Sequence, residues 1–462
     1  MPQEKKAKEE LRAGFDEMMV ELARARDAID DPKLHAPPAS ARNLAEGYRY
    51  LMSQVYCAIE RGFFEDPRFP YVRRAVQAIA KATIDNADAI YFSMPIDGNQ
   101  SYWIRGQAQD SRHWRGASRA ASGRLAPQYL IFECASGFAG DSGSLRELEP
   151  GTRAMTGMLD VSKLTVAPDG RFEILCAPER PSGFTGNFLR TKTQRQRPRP
   201  DGSTEQVEYV GTYVSGRQLF YDWDREDPVE FWISRIGAEN EHPPAFDPAA
   251  AARSLRRVGE LARGQLHFWN EFYGVLLETY ADMNGDGKRF MPRNAFNEPN
   301  AASGATGGGM STNIYAGGVY ELAPDEALVV ESQIPVPPMY LGFHLSNFWG
   351  ESFDYANRIT SLNGFQAERD ADGSIRYVIA HRDPGVPNWL DTTGHPEGFM
   401  APRWAYFEKP PQAQWPTIRA TRVRFDEIRK HLPPGTRWAS PEERRKQIEI
   451  RQRHVQRRFS QA

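Results

Sequence analysis

Cysteine is scarce in this sequence. Its 462 residues include three, Cys57, Cys134 and Cys176, and none belongs to a C-x-x-C pair, which argues against a disulfide framework or a thiolate zinc site. No apolar run approaches the length needed to cross a bilayer, so we expect no membrane partner. The N-terminus lacks the apolar core of a secretory signal. We therefore expect a reduced, cytoplasmic protein.

Net charge and cofactor motifs are also scarce. The 58 Lys and Arg nearly balance the 60 Asp and Glu, leaving a net charge of −2, so no overall field favours nucleic acid as a partner. No redox-cofactor motif is recognisable, and we predict no cofactor. Aromatic residues are plentiful by contrast, with 25 Phe, 18 Tyr and 10 Trp. Such side chains line both sandwich cores and apolar ligand sites.

The middle and the C-terminal third of the chain repeat one pattern. The segment D-G-R-F-E-I-L at Asp169 is followed by N-F-L-R-T at Asn187, and D-G-S-I-R-Y-V at Asp372 is followed by N-W-L-D-T at Asn388. Upstream of each lies a similar run, Y-L-I-F-E at 129–133 and Y-L-G-F-H at 340–344. The repeat predicts two β-rich segments with the same order of strands and turns.

Changes of periodicity divide the chain into five regions. Apolar residues recur at helical spacing near the N-terminus and again before residue 281, whereas short alternating runs bounded by Gly and Pro indicate strands. The tail from Arg419 onward has 13 Lys and Arg against 5 Asp and Glu. Its S-P-E-E at 440–443 is a helix start with a capping box. The predicted regions are a helical region at 1–88, a first β domain at 89–237, a bridging helix with a Gly-rich linker at 238–309, a second β domain at 310–425, and a basic helical tail at 426–462.

Several segments resemble a bacterial family known as domain of unknown function 1214. The matching segments are A-E-G-Y-R-Y-L at 45–51, N-A-D-A-I-Y at 86–91, I-D-G at 96–98 with Y-W-I-R-G at 102–106, D-E-A-L at 325–328, D-G-S at 372–374, and D-P-G-V-P-N-W-L-D-T at 383–392. The resemblance spans roughly residues 40 to 430 and implies two tandem jelly-roll-like antiparallel β-sandwiches. It implies no settled activity. With the repeat, it leads us to expect a mainly β fold with N-terminal, bridging and C-terminal helices.

His344 is the candidate catalytic residue. Strand alternation places it on one face with Tyr340 and Gly342, and Glu133 occupies the equivalent position in the first repeat. Two titratable groups at equivalent positions can act as general acid or base if each faces a cavity. The competing interpretation is that these side chains meet water or satisfied hydrogen bonds.

A pocket in the second repeat is the candidate substrate site. Aromatic walls with a few polar anchors are typical of small-molecule pockets, and arginine pairs well with carboxylates. Asn and Asp near turns can equally serve to bond the local backbone. The predicted substrate-binding residues are Arg358, Arg403, Trp349, Trp389, Asn388 and Asp391.

Motifs for a metal or a phosphate are incomplete. There is no H-x-H or H-E-x-x-H pattern, so convergence of His344, His381 and His395 on a metal stays open without support from spacing. The D-M-N-G-D-G run at 282–287 opens like a calcium loop, but Arg293 stands where a glutamate is needed. The G-A-T-G-G-G-M-S run at 304–311 lacks the lysine of a phosphate loop.

These observations support two hypotheses about function. The first is a catabolic enzyme acting on an apolar or aromatic small molecule, with or without a carboxylate, by proton-transfer chemistry of the lyase or hydrolase kind. The second is a non-catalytic protein that binds small molecules or assembles into oligomers, with the basic C-terminal helix joining subunits. A buried titratable histidine in a closed cavity would favour the first.

Overall fold

The fold is mainly β with several helices, in a two-lobed β-sandwich arrangement, as predicted. The computed structural model describes residues 2–31, 40–149, 151–199, 202–279, 291–301 and 313–460. The calcium-like run at 282–287 and the phosphate-loop-like run at 304–311 both lie outside these residues. The helices in the described part are α1 Pro2–Asp30, α2 Ala41–Phe64, α3 Pro248–Gly274, which continues as a π turn over Val275–Thr279, and α4 Pro441–Phe459.

The first lobe contains eleven strands. They are β1 Arg73–Val76, β2 Ala89–Pro95, β3 Tyr102–Gln107, β4 Tyr129–Ala135, β5 Met155–Asp160, β6 Arg171–Ala177, β7 Asn187–Arg190, β8 Lys192–Pro198, β9 Thr204–Val210, β10 Tyr213–Leu219 and β11 Glu230–Arg235. A five-stranded sheet in the order β1-β2-β10-β4-β5 faces a four-stranded sheet in the order β11-β3-β6-β7. Alternate residues such as Phe132 and Phe172 fill the space between the sheets, with ring centroids 6.3 Å apart. Strands β8 and β9 form a separate hairpin.

The second lobe repeats this arrangement with nine strands. They are β12 Asn313–Tyr315, β13 Gly318–Glu321, β14 Glu326–Gln333, β15 Tyr340–Ser346, β16 Ser361–Asn363, β17 Ile375–Ala380, β18 Trp389–Asp391, β19 Glu397–Ala405 and β20 Thr417–Arg424. One sheet runs β12-β19-β15-β16 with β13 also paired to β19, and the other runs β18-β17-β14-β20. The inward residues of β15, Leu341, Phe343 and Leu345, are buried in the core of this lobe.

The internal repeat is visible in single side-chain contacts. The Asn187 amide accepts from Thr165 N at 2.7 Å and donates to the carbonyls of Thr165 and Glu173, both at 2.9 Å. The Asn388 amide accepts from Glu368 N at 2.8 Å and donates to the carbonyls of Glu368 at 2.7 Å and Arg376 at 3.0 Å. Each Asn therefore ties the start of a short strand to two backbone segments by the same three bonds.

One feature of the sheets differs from the prediction of purely antiparallel sandwiches. Strand β6 pairs with β7 in parallel, and β17 pairs with β18 in parallel. In both lobes the second strand of the pair begins at or just after the Asn that ties the backbone, Asn187 or Asn388. The chain returns to the first end of the preceding strand before this point, so the two strands run in the same direction. The remaining ladders are antiparallel.

The C-terminal helix α4 begins at a capping box and contacts both lobes. The capping box predicted for α4 is present: Ser440 Oγ accepts from Glu443 N at 3.2 Å, and the Glu443 carboxylate accepts from Ser440 N at 2.6 Å. Helix α4 packs against its own chain at the junction of the lobes, where Arg451 and Arg458 are buried. They donate to the carbonyls of Tyr355 at 3.2 Å and of Ala87 at 2.8 Å, respectively. The predicted contact between subunits through this helix stays a prediction.

Candidate functional site

The outer face of the β12-β19-β15-β16 sheet packs toward the first lobe. Tyr340 and Ala405 of the second lobe are buried in the same apolar cluster as Tyr129 and Leu219 of the first. The Tyr340 hydroxyl donates to the Asp88 carboxylate at 2.5 Å. Side chains on this face therefore lie in a layer between the two lobes.

His344 and Arg403 meet in this layer. They project from the adjacent strands β15 and β19 at diagonal positions, two residues out of register, because His344 lies opposite Ala401 and Arg403 opposite Gly342. Arg403 Nη2 lies 3.4 Å from His344 Nε2 and donates to the Ile84 carbonyl at 3.2 Å. Both side chains are buried, with exposed fractions of 1% for His344 and 7% for Arg403. The structure thus brings together two of the predicted site residues.

The environment of His344 keeps its ring neutral. Burial lowers the pKa of His344 well below its ordinary value, and the charges of Arg403 and Lys81 lower it further, while the Ile84 carbonyl acts in the opposite direction. If Nε2 accepts from Arg403 the neutral ring carries its proton on Nδ1, and if Nε2 donates to the Ile84 carbonyl it carries the proton on Nε2. In the described part of the chain, Nδ1 has no hydrogen-bond partner. His344 therefore presents a buried ring nitrogen that has no hydrogen-bond partner among the described residues.

Strained backbone lies next to this pair. Thr83 and Ile84 have φ values of 67° and 53°, which β-branched residues rarely adopt. Thr83 N donates to the Tyr273 hydroxyl at 2.7 Å, and Ile84 N donates to the Gly350 carbonyl at 2.9 Å. Strain of this kind costs on the order of 1–3 kcal/mol per residue and concentrates at functional sites.

The first lobe carries an equivalent pair, Glu133 and Arg217. Glu133 lies opposite Ser215 and Arg217 opposite Ile131, the same register as for His344 and Arg403. Arg217 Nη2 is 3.9 Å from Glu133 Oε2. Burial raises the pKa of Glu133 and the charge of Arg217 opposes this rise; Glu133 Oε1 lacks a hydrogen-bond partner within the residues described. Sequence reasoning identified Glu133 but missed Arg217.

The two pairs approach each other at Tyr315. The Arg403 guanidinium lies 5.8 Å from the centre of the Tyr315 ring. Burial lowers the pKa of Arg217, but Glu133, Tyr91 and Tyr315 raise it by more. One tyrosine on β12 thus lies near both guanidinium groups. The layer between the lobes accordingly contains two arginines, a carboxyl group and an imidazole.

The other polar residues of the predicted pocket have structural contacts. Arg358 pairs with Asp391 at 2.9 Å, and its side chain is 53% exposed. The second Asp391 oxygen accepts from Thr393 N at 2.7 Å. Asn388 forms the backbone clamp described above. The structure does not place these three side chains beside His344.

The two predicted aromatic walls lie in different places. The Trp349 indole donates to the Asn43 carbonyl at 2.8 Å, and its ring stacks on Tyr50 at 5.9 Å, so it packs against α2. The Trp389 indole donates to the Ala380 carbonyl at 3.1 Å, and the Arg444 guanidinium of α4 lies 5.5 Å from its ring. These two rings therefore do not form opposite walls of one pocket.

The other two histidines proposed as metal ligands have partners of their own. His381 bonds the Thr392 hydroxyl at 2.7 Å and the Leu322 carbonyl at 3.1 Å. His395 Nε2 lies 2.7 Å from the Glu46 carboxylate. Over the described ranges, no group of three His, Cys, Asp or Glu side chains is arranged to hold a metal ion. The described residues therefore give no support to a metal site formed by His344, His381 and His395.

Comparison with known proteins gives the fold and no activity. No family model matches the chain, so the resemblance to domain of unknown function 1214 stays a prediction. No curated protein matches it either. A crystal structure of an uncharacterised protein from Burkholderia cenocepacia is similar over 91% of this chain and 99% of its own, with 25% identity and a TM-score of 0.70. A Vibrio parahaemolyticus protein aligns over 87% of this chain and 100% of its own, but with 11% identity and a TM-score of 0.37.

No helix in the part of the chain that the structure describes is both long and apolar enough to cross a membrane.

Proposed function

We propose that the protein is an enzyme that transfers protons on a small molecule bearing a carboxylate, in the layer between the lobes. The observation that carries the proposal is the buried, neutral His344, whose Nδ1 has no hydrogen-bond partner among the described residues and which lies beside Arg403. A buried polar atom without a partner costs about 1–3 kcal/mol. Its presence next to a guanidinium supports a role toward a ligand.

Arg403 is suited to the ligand's carboxylate. Its Nη2 is used by the Ile84 carbonyl, while its Nε has no hydrogen-bond partner in the described residues. A guanidinium binds carboxylates with directional, charge-assisted bonds. Arg403 would therefore orient the substrate relative to the His344 ring.

The direction of proton transfer follows from the protonation states. With Nε2 turned to Arg403, His344 donates from Nδ1 and is suited to a general acid, or to a hydrogen-bond donor that stabilises a developing negative oxygen. Glu133 is suited to the general base because burial raises its pKa toward neutrality. In a lyase, Glu133 removes a proton from the substrate carbon and His344 protonates the leaving oxygen. In a hydrolase, Glu133 takes the proton from the water that attacks the substrate, and His344 protonates the leaving oxygen as its bond to the substrate breaks.

The strained Thr83–Ile84 backbone also supports a functional layer. A single strained residue in a loop needs no functional reason, but here two adjacent ones lie where Ile84 bonds Arg403. The surrounding bonds from Tyr273 and Gly350 hold this conformation in place. Relief of the strain would move the group that positions Arg403.

Proton exchange with solvent tests the proposal while the substrate is still unidentified. The protein is incubated in D2O with a panel of small carboxylic acids, including hydroxy and unsaturated acids, and deuterium incorporation or conversion is followed by NMR and mass spectrometry. We expect exchange or turnover with at least one acid, and its loss in His344→Phe and Glu133→Gln. His344→Gln serves as a second variant if His344→Phe does not fold.

A matched control uses an arginine outside the layer. Arg358→Ala removes an exposed guanidinium and should leave exchange unchanged, whereas Arg403→Ala should abolish it. Full activity in a folded His344→Gln protein would remove His344 from the mechanism. Stoichiometric binding of an acid with neither exchange nor turnover would favour the non-catalytic binding protein instead.

A further inference from the structure

A second group of polar residues lies where the loop after β18 meets helix α2. Thr393 and His395 belong to this loop, and Glu46 belongs to α2. Thr393 Oγ1 lies 2.7 Å from His395 Nδ1, and His395 Nε2 lies 2.7 Å from Glu46 Oε1. The three side chains therefore form a hydrogen-bonded chain of hydroxyl, imidazole and carboxylate. This is the order found in enzymes that activate a hydroxyl group as a nucleophile.

The charge on Glu46 sets the tautomer of His395. Burial acts to raise the pKa of Glu46, but the hydrogen bond and charge of His395, with the charge of Arg49, lower it by more, so the group is ionised. An ionised carboxylate accepts from a nitrogen that bears a proton. The neutral ring therefore carries its proton on Nε2 and directs the Nδ1 lone pair to the Thr393 hydroxyl. Once Nδ1 takes a proton, the Thr392 carbonyl at 3.1 Å accepts from it.

Further contacts hold the imidazole and the carboxylate in place. The His395 ring stacks on the Phe353 ring, with centroids 4.3 Å apart. The second oxygen of Glu46 accepts from the Asn347 amide at 3.2 Å. Both groups are largely buried, with side-chain exposures of 12% for His395 and 11% for Glu46. The base and the group that orients it are thus fixed before a substrate arrives.

Thr393 has a backbone conformation that is unusual for its residue type. Its φ is 55°, a left-handed value that β-branched residues rarely adopt. The conformation is held by the bond from Thr393 N to the Asp391 carboxylate at 2.7 Å. Thr393 is half-buried and the next residue, Gly394, is exposed. A substrate can therefore approach the hydroxyl from solvent.

The duplicated fold does not need this hydroxyl and imidazole. The N-F-L-R-T run that ends at Thr191 corresponds to the N-W-L-D-T run that ends at Thr392. The next three residues are K-T-Q in the first lobe and T-G-H in the second. Only the second lobe therefore has the hydroxyl and imidazole at these positions, so the architecture that the lobes share does not account for them.

An exposed arginine adjoins the hydroxyl. Arg42 lies one turn before Glu46 on α2, and its guanidinium donates to the carbonyl of Gly394, the residue after Thr393. A guanidinium attracts anions and binds carboxylates with charge-assisted hydrogen bonds. Its position beside the hydroxyl favours a substrate that carries a negative charge.

We propose that Thr393, His395 and Glu46 form a second active site, which hydrolyses esters that carry an anionic group. Thr393 Oγ1 attacks the ester carbonyl carbon, and its proton passes to His395 Nδ1. The bond to the alcohol oxygen breaks, and this oxygen takes the proton from His395. Water then attacks the acyl-threonine and gives a proton to His395, which passes it to Thr393 Oγ1 as the carboxylic acid is released. Glu46 positions the imidazole, and Arg42 binds the anionic group.

Reaction with para-nitrophenyl acetate tests the nucleophile. We expect release of nitrophenolate and, in protein quenched during turnover, one acetyl group on Thr393, located by tandem mass spectrometry. Thr393→Val should abolish both, because valine has the same shape and no hydroxyl, whereas Thr393→Ser should keep both. His395→Gln should slow the reaction about 10²-fold or more. Thr393→Ala replaces Thr393→Val if that protein does not fold.

Two further variants test the roles of Glu46 and Arg42. Glu46→Gln should lower kcat about tenfold or more while KM stays within about twofold; an unchanged kcat would show that Glu46 has only a structural role. Para-acetoxybenzoate and its neutral methyl ester differ in charge at one end. We expect a higher kcat/KM for the anion, and loss of this preference in Arg42→Gln.

An exposed threonine in the first lobe provides the matched control. Thr204→Val should react like the wild type. Equal rates in the wild type, Thr393→Val and Thr204→Val, or acetyl groups on lysine side chains alone, would overturn the second active site. A preference for the methyl ester would overturn the anionic substrate class. The site shares no residue with the layer between the lobes, so these results leave the proposed function to its own test.

Discussion

Replacing Asn388 by alanine should destabilise the second lobe without a direct effect on ligand binding. The side chain is 7% exposed and makes three backbone hydrogen bonds, to Glu368 N, Glu368 O and Arg376 O. At about 1 kcal/mol for each hydrogen bond, Asn388→Ala should lower the free energy of unfolding by about 3 kcal/mol. The backbone groups that remain would be left without partners, which is why the loss should not fall much below this value.

The equivalent residue in the first lobe calibrates this estimate. Asn187 makes the same three bonds but is only half-buried, so water can replace part of what Asn187→Ala removes. We expect a loss of about 1.5–2 kcal/mol there. Asn388→Asp should cost at least as much as Asn388→Ala, because it keeps the acceptor for Glu368 N but turns a negative charge toward two carbonyls.

Urea unfolding followed by tryptophan fluorescence and circular dichroism measures these changes. Asn99→Ala is the matched control, since its exposed amide bonds the Asp97 carboxylate and its loss should change the unfolding free energy by less than about 0.5 kcal/mol. A loss below about 1 kcal/mol in Asn388→Ala, or a large change in ligand affinity at unchanged stability, would refute the structural role and restore Asn388 as a substrate-binding residue.

Three further changes test the electrostatics. In Arg403→Gln the pKa of His344 should rise, because a positive charge near the ring is removed. NMR titration of the imidazole measures this pKa, and an unchanged value would contradict the contact between Arg403 and His344. Burial, and then the nearby arginines, lower the pKa of His454 in the folded chain. Below about pH 6.5 the unfolded chain therefore binds more protons than the folded one, and the wild type should lose stability relative to His454→Phe as the pH falls. A difference in unfolding free energy that stays constant from pH 8 to 5 would count against a neutral buried ring. Arg358→Ala should change the unfolding free energy by less than about 1 kcal/mol, because the Arg358 side of its ion pair with Asp391 is exposed. A larger loss in denaturant unfolding would show that this ion pair stabilises the fold.

The pairing of His344 with Arg403 could be predicted in part from the sequence. Strand alternation places His344 on one face of β15 with Tyr340 and Gly342, and the structure shows that this face is opposite the core residues Leu341, Phe343 and Leu345. The sequence does not distinguish Arg403 from Arg358 as the partner, because a single sequence does not give the register between β15 and β19. Only the ladder, with Arg403 opposite Gly342, shows which arginine reaches the ring.

The positions of Trp349 and Arg217 depend on contacts that sequence patterns do not encode. Trp349 bonds Asn43, a residue about 300 positions earlier, because the N-terminal helices cover the second lobe. Arg217 lies in Y-V-S-G-R-Q-L and Arg403 in F-M-A-P-R-W-A, two segments with little in common. Arg217 and Arg403 are equivalent because of their strand pairing, with Arg217 opposite Ile131 and Arg403 opposite Gly342. A structural alignment of the repeats finds this pair, whereas a search for matching letters does not.

The contrast between the two sets of equivalent residues bears on function. Where the duplicated fold needs a structural tie, it has the same residue twice, Asn187 and Asn388, each with its hydrogen bonds satisfied. At the equivalent positions of β4 and β15 it has different titratable groups, Glu133 and His344, and each has an atom without a partner among the described residues. An unsatisfied buried polar atom costs about 1–3 kcal/mol, and two such atoms, each near an arginine in the layer between the lobes, are poorly explained by packing alone. A ligand that accepts from one and donates to the other would satisfy both, which is the arrangement a proton-transfer site requires.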